Sequence, residues 1–142
     1  MKLEIKHLAP YLPYGLKYMD WDYEQFSLDG LDVNGDAFCA DSGEVSFELI
    51  KPILRPLSDL TKEINLHDDF FAIPIENMTG YKLEGYPNDA PTTVQHLYGC
   101  SKGEIDAKFL DYWVITKLLE WHFDVFGLRE KDLCVYYDEL NI

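Results

Sequence analysis

The sequence is short of positive charge. Between Lys17 and Lys51 it has no lysine or arginine at all, and the whole chain sets 12 basic residues against 26 acidic ones, a formal net charge of −14. A surface so poor in cations has no counterion release to gain from nucleic acid phosphates, which excludes direct nucleic-acid binding. The same deficit excludes attraction to an anionic membrane surface. Long apolar runs are missing too. The hydrophobic stretches are short and broken by charge, so no segment has the length of a membrane span, and the N-terminal residues carry no apolar stretch of signal-peptide length. Cysteine is scarce: Cys39, Cys100 and Cys134 are an odd number with no CxxC spacing. That excludes a secreted disulfide framework and points to reduced, mostly buried thiols in a cytoplasmic protein.

Catalytic and cofactor motifs are likewise missing. There is no GxGxxG, Walker-type or GxSxG segment, so nucleotide cofactors have no support. The four histidines, His7, His67, His96 and His122, are far apart, with no HExxH or zinc-finger spacing. Asp32-x-Asn34-Gly35-Asp36 resembles the start of a calcium loop. Counted from Asp32, however, loop position six is Ala37 and position twelve is Gly43, where that loop needs glycine and glutamate. His96 and Cys100 could share a helix face as a metal pair, but Gly99 is expected to break the helix between them. A Cys–His nucleophilic pair would be adjacent in space rather than in sequence, and no local pattern supports one. The sequence therefore nominates no catalytic, cofactor-binding or metal-ligating residue.

What is present is enough apolar residue for a core. Hydrophobic residues are 47% of the 142, as in ordinary globular domains, and a chain of this length buries a core without disulfide or metal. The whole chain, 1–142, reads as one domain. Pro10 and Pro13 forbid a long helix near the N-terminus, so a short helical turn should lead into a strand from Leu16. Residues 16–50 read as an antiparallel β-meander of three to five strands, able to curl into a small barrel. Asn34-Gly35 is the strongest hairpin signal, expected as a type I′ turn with both residues at positive φ. Val45, Phe47 and Leu49 alternate at period two. Ser58 should cap a short helix over 59–64. One strand is expected at Phe70 to Ile75 in an otherwise irregular stretch, and a last strand at Leu133 to Tyr137.

In the C-terminal third, Thr92-x-x-Gln95 and Ser101-x-x-Glu104 both fit the capping box. The first predicts a short helix ended by Gly99, and the second a long helix over 102–126 ended by Gly127. Asp106, Lys117, Glu120 and Asp124 form a narrow polar stripe on that helix. Its other positions are mostly apolar, Phe109, Val114, Leu118 and Trp121 among them, so it should be largely buried or form a subunit contact. The fold class is α+β, an N-terminal meander packed against a C-terminal helical pair.

Two features stand above this background. Nine acids fall between Lys17 and Lys51, among them Asp20, Asp22, Glu24, Asp29, Asp32, Asp36 and Asp41. Such a run is either a solvated face that guards sheet edges or an acidic surface for a basic partner. The chain also has 21 aromatic residues. Tyr11, Tyr14, Tyr18, Trp21 and Tyr23 lie beside the acidic run, and a mixed aromatic and acidic patch suits protein recognition. Trp21, Asp29, Asp32, Asp36 and Asp41 are the candidate partner surface.

Three segments, HLAPYLPYGLK at 7–17, KPILRPLSDLTKEI at 51–64 and LLEWHFDVFGL at 118–128, resemble a family of short bacterial proteins, many from prophage-like regions, with no established function. The resemblance carries over no site residue. It implies a phage or mobile-element role in a bacterial cytoplasm. The expectation is thus a non-enzymatic, protein-binding accessory protein, with a basic protein or a second copy of itself as partner. An acidic nucleic-acid mimic that occupies a DNA-binding protein and a small Cys/His hydrolase are the alternatives.

Overall fold

The computed structural model describes residues 2–40, 42–67, 69–83 and 90–140. The fold is α+β. The chain gathers into two compact units, Met1–Arg55 with Phe126–Ile142, and Pro56–Val125. No helix among the described residues is long and apolar enough to cross a membrane.

The first unit opens with helix α1 (Ile5–Leu8), continued as a 3-10 turn over Ala9–Tyr14. Pro10 and Pro13 remove the N–H donors that a longer α-helix needs. Strands β1 (Lys17–Met19), β2 (Gln25–Ser27), β3 (Gly30–Asp32), β4 (Asp36–Cys39), β5 (Gly43–Ser46) and β6 (Lys51–Leu54) follow. The last strand of the unit is β9 (Val135–Tyr136), followed by a 3-10 turn over Tyr137–Leu140. They pair as two open sheets, β2-β1-β6-β9 and β3-β4-β5, rather than as a closed barrel. All neighbours are antiparallel except β6 and β9. Leu8, Tyr11, Leu16, Tyr18, Ile53, Leu54 and Leu128 are wholly buried. The alternation expected through Leu49 stops at Ser46. Its hydroxyl accepts the Glu48 backbone N–H at 3.3 Å, the next residues form a 3-10 turn, and Leu49 is left exposed while Phe47 is buried.

The second unit holds a 3-10 turn over Leu57–Thr61 where a helix over 59–64 was expected. The hairpin β7 (Ile64–His67) and β8 (Phe70–Ala72) follows, then the helices α2 (Pro74–Thr79), α3 (Thr92–Ser101) and α4 (Tyr112–Glu120). The strand expected at 70–75 thus ends at Ala72, because Pro74 starts α2. Leu60, Leu66, Ile75, Val94, Leu97, Val114, Leu118 and Phe123 form one buried cluster.

The helix expected over 102–126 does not form. Helix α3 runs through Gly99, whose missing side chain admits Ile105: an added Cβ would come within 2.5 Å of Ile105 Cδ1. Neither capping box is made. Pro91 precedes α3, Gln95 Nε2 donates to the Ala90 carbonyl at 2.8 Å, and Ser101 donates to the Tyr98 carbonyl at 2.6 Å from inside the helix. The chain then turns at Gly103 and makes a 3-10 turn over Ala107–Phe109, with the Asp106 carboxylate accepting the Lys108 N–H at 3.0 Å. Helix α4 ends at Glu120, not at Gly127. His122 takes a left-handed conformation (φ 63°), its N–H donates to the Leu119 carbonyl at 3.0 Å, and Phe123 N–H donates to Leu118 at 2.8 Å. This is the Schellman closure, with histidine where glycine is usual. Asp124, counted into the polar stripe, is buried beyond the helix end.

Leu118 is fully buried. Leu118→Ala is expected to cost about 2–5 kcal/mol in a urea titration, through lost transfer energy and the cavity left behind.

His7 is buried in α1, where its Nδ1 accepts the Glu4 backbone N–H at 3.0 Å and its ring meets the edge of Phe126 at 6.3 Å. Burial, opposed by Glu4 and aided by Lys6 and Lys131, lowers its pKa from the ordinary 6.5. The folded state therefore favours the neutral ring, which alone can accept that N–H. The stabilisation is complete above pH 6.5 and is lost as pH falls below it, because the unfolded chain takes up the proton first. The unfolding midpoint should drop on acidification through this range, and the drop should shrink in His7→Gln.

Candidate protein-recognition site

The acidic segment is built from two hairpin tips of the same design. In the first, Asp20 N–H donates to the Glu24 carbonyl at 3.0 Å and Tyr23 N–H to the Asp20 carbonyl at 3.1 Å. Asp20 Oδ1 accepts the N–H groups of Asp22 at 2.9 Å and Glu24 at 3.0 Å. In the second, Gly35 N–H donates to the Asp32 carbonyl at 3.0 Å, and Asp32 Oδ1 accepts the Asn34 N–H at 2.8 Å. Each is a three-residue loop, a tight turn followed by one left-handed residue, with an aspartate at the entry satisfying the loop's free N–H groups. Asn34-Gly35 does not form the expected type I′ turn. Gly35 alone has positive φ (96°), because three loop residues separate the paired Asp32 and Asp36 where a type I′ turn has two.

The left-handed position is glycine in the second tip and Tyr23 (φ 63°) in the first. A bulky side chain there costs about 1–2 kcal/mol relative to the right-handed region. Trp21 and Tyr23 stand out from that tip, 60% and 80% exposed, with Asp22 and Glu24 exposed beside them. Tyr11 and Tyr18 of the same sequence cluster are core residues, and Tyr14 is half-buried. Tyr23 also lines a groove of about 360 Å³ with Met19, Gln25, Val135, Glu139 and Leu140. Glu139 at its rim accepts Arg129 Nε at 2.9 Å and Nη2 at 3.0 Å. The Tyr136 backbone N–H, and then Arg129, hold its carboxyl below the ordinary 4.5.

The predicted acids play unequal parts. Asp29 accepts the Ala40 N–H at 2.7 Å and Asp32 caps its own turn, so both carboxylates hold the fold. Asp32 and Asp36 face each other across the β3–β4 ladder, and like charges so placed repel. Asp41 lies outside the described residues. No described carboxylate of residues 18–50 forms an ion pair with a described lysine or arginine.

Other chemistry finds less in the structure. Among the described residues no three His, Cys, Asp or Glu side chains converge as metal ligands would. Because α3 continues through Gly99, His96 and Cys100 lie one turn apart on a single helix, contrary to expectation, but His96 is exposed and Cys100 buried. Burial, with Asp106 adding to it, pushes the Cys100 thiol up to about 11, far from the thiolate a nucleophile needs. Cys39 and Cys134 are buried as well. Sequence reasoning missed the strained backbone of Tyr23; the repeated Asp-x-Asx pattern at 20–22 and 32–34 was its available signal.

Tyr23→Gly should raise stability by up to about 1 kcal/mol, the relief of left-handed strain less the backbone entropy of glycine. Thermal unfolding of the two chains side by side measures it.

No protein-family model matches this chain, and neither a curated protein sequence nor a solved structure matches it.

Proposed function

We propose that the chain is a non-enzymatic, protein-binding accessory protein of phage or mobile-element origin, and that it docks a basic protein through the Trp21–Tyr23 tip. The observation that carries this reading is the pair of aromatic rings held out in solvent by a hairpin whose backbone is fixed against the preference of Tyr23. Exposed tryptophan and tyrosine are the residues that most often anchor an interface, since each offers a large contact area for little entropy. Asp22 and Glu24 are exposed beside them and form no ion pair with a described lysine or arginine, and such a field speeds the approach of a basic surface and rejects an acidic one. The resemblance of the 7–17, 51–64 and 118–128 segments to proteins of prophage-like regions supports a bacterial setting.

The test uses immobilised full-length chain and a bacterial lysate at low and high salt. The recovered partner should be basic, and its recovery should fall as salt rises, because exposed charges are screened within about 8 Å at physiological ionic strength. Trp21→Ala, and separately Asp22→Lys with Glu24→Lys, should reduce recovery several-fold at unchanged unfolding midpoint. Asp29 and Asp32 are unsuitable for reversal, since their carboxylates accept backbone N–H groups. Equal recovery by the folded variants would return the segment to a solvated face. Competition for the partner by duplex DNA would instead support the acidic nucleic-acid mimic.

A further inference from the structure

Exposed aromatic rings cluster at a second place, the start of α4. Phe109, Tyr112 and Trp113 are 76%, 84% and 48% exposed. Local structure forces them outward. Asp106 caps the 3-10 turn over Ala107–Phe109, Asp111 precedes α4, and Ala107, Leu110, Val114 and Leu118 take the buried side. Phe109, Tyr112 and Trp113 are what remains on the solvent side of the same two turns.

The rim of this patch differs from the hairpin tip in carrying both signs. Lys108 lies 5.4 Å from the Phe109 ring centroid and 3.7 Å from Asp106, and Lys117 lies 3.1 Å from Glu120. A patch with charges of both signs can face its own copy, whereas Asp22 and Glu24, exposed beside Trp21 and Tyr23, would set like charges against each other there. Trp113 and Lys117 are one helical turn apart. Lys117 lies 5.5 Å from the ring centroid of its own Trp121, and two α4 helices set antiparallel about a two-fold axis beside Thr116 would bring each Lys117 opposite the other copy's Trp113 as well, a cation–π pairing made twice. Aromatic side chains bury about 150–250 Å² each, so three partly exposed ones supply roughly half of the about 800 Å² per partner that a standard interface needs.

We propose that Phe109, Tyr112 and Trp113 form a two-fold contact with a second copy of this chain. Sedimentation equilibrium of the full chain over a wide concentration range should show a monomer–dimer equilibrium. Tyr112→Ser and Trp113→Ser should each weaken it by about thirtyfold or more, the loss typical of a central aromatic anchor, at unchanged circular dichroism and unfolding midpoint. Lys117→Glu should weaken it further than Lys102→Glu. Thr116→Cys, close to the axis, should form a disulfide-linked dimer on mild oxidation, while Ser27→Cys on β2 should not. A monomer at every concentration, including one whose aromatic patch captures a different protein, overturns the proposal. So does a dimer whose dissociation constant is unmoved in the folded serine variants, or a Thr116→Cys chain that cross-links no faster than Ser27→Cys.

Discussion

Two aspartate side chains hold the acidic surface in its shape. Asp20 and Asp32 each sit at the entry of a three-residue hairpin loop and turn an oxygen back onto the loop's own N–H groups. Those donors would otherwise need water or a ladder partner, and the tips would be free to sample other turns. With the donors satisfied, the single left-handed residue that each loop requires has a fixed place. At Gly35 that place is cheap, and at Tyr23 it is strained. The direction of Trp21, the exposure of Tyr23 and the groove beside it all follow from this one interaction and the strain it sustains.

The two exposed aromatic sites differ in what surrounds them. At the Trp21–Tyr23 tip the exposed neighbours Asp22 and Glu24 have no ion-pair partner among the described lysines and arginines, and at the second tip Asp32 and Asp36 oppose each other across a ladder. Such an arrangement loses stability to self-repulsion. At the start of α4 the rings are edged by Lys108, Asp111, Lys117 and Glu120, a mixture that suits a copy of itself. On the proposed reading, one face selects for opposite charge and the other for likeness.

The fold was legible where the local sequence admits one solution. Pro10 and Pro13 permit only short turns, and the α+β class followed from strand-like alternation before residue 50 and helix-like spacing after residue 91. The C-terminal helices were misread because capping boxes are local patterns that a helix interior or its last turn satisfies equally well. Ser101 bonds back to Tyr98 as a residue inside a helix does, and Gly99 reads as a breaker in sequence but serves in the structure as the gap that Ile105 fills. Phe109, an apolar position of the expected continuous helix, lies instead in the 3-10 turn before α4 and is exposed.

The sequence by itself determined the net charge, the absence of cations from 18 to 50, the α+β class and the presence of a turn at Asn34-Gly35, because each depends on composition or on neighbours a few residues apart. Tertiary structure alone decided which aromatics are core and which are surface. Tyr18 and Trp21 are three residues apart and equally aromatic, yet Tyr18 is on β1, paired on both sides by β2 and β6, and is buried, while Trp21 lies past the strand end and is exposed. Burial is a property of what packs over a side chain, and those groups come from distant parts of the chain. The same reason governs the end of α4. A left-handed His122 is held because Phe123 and Val125 gain burial in the core cluster beyond it, a gain that no window of sequence around the histidine displays.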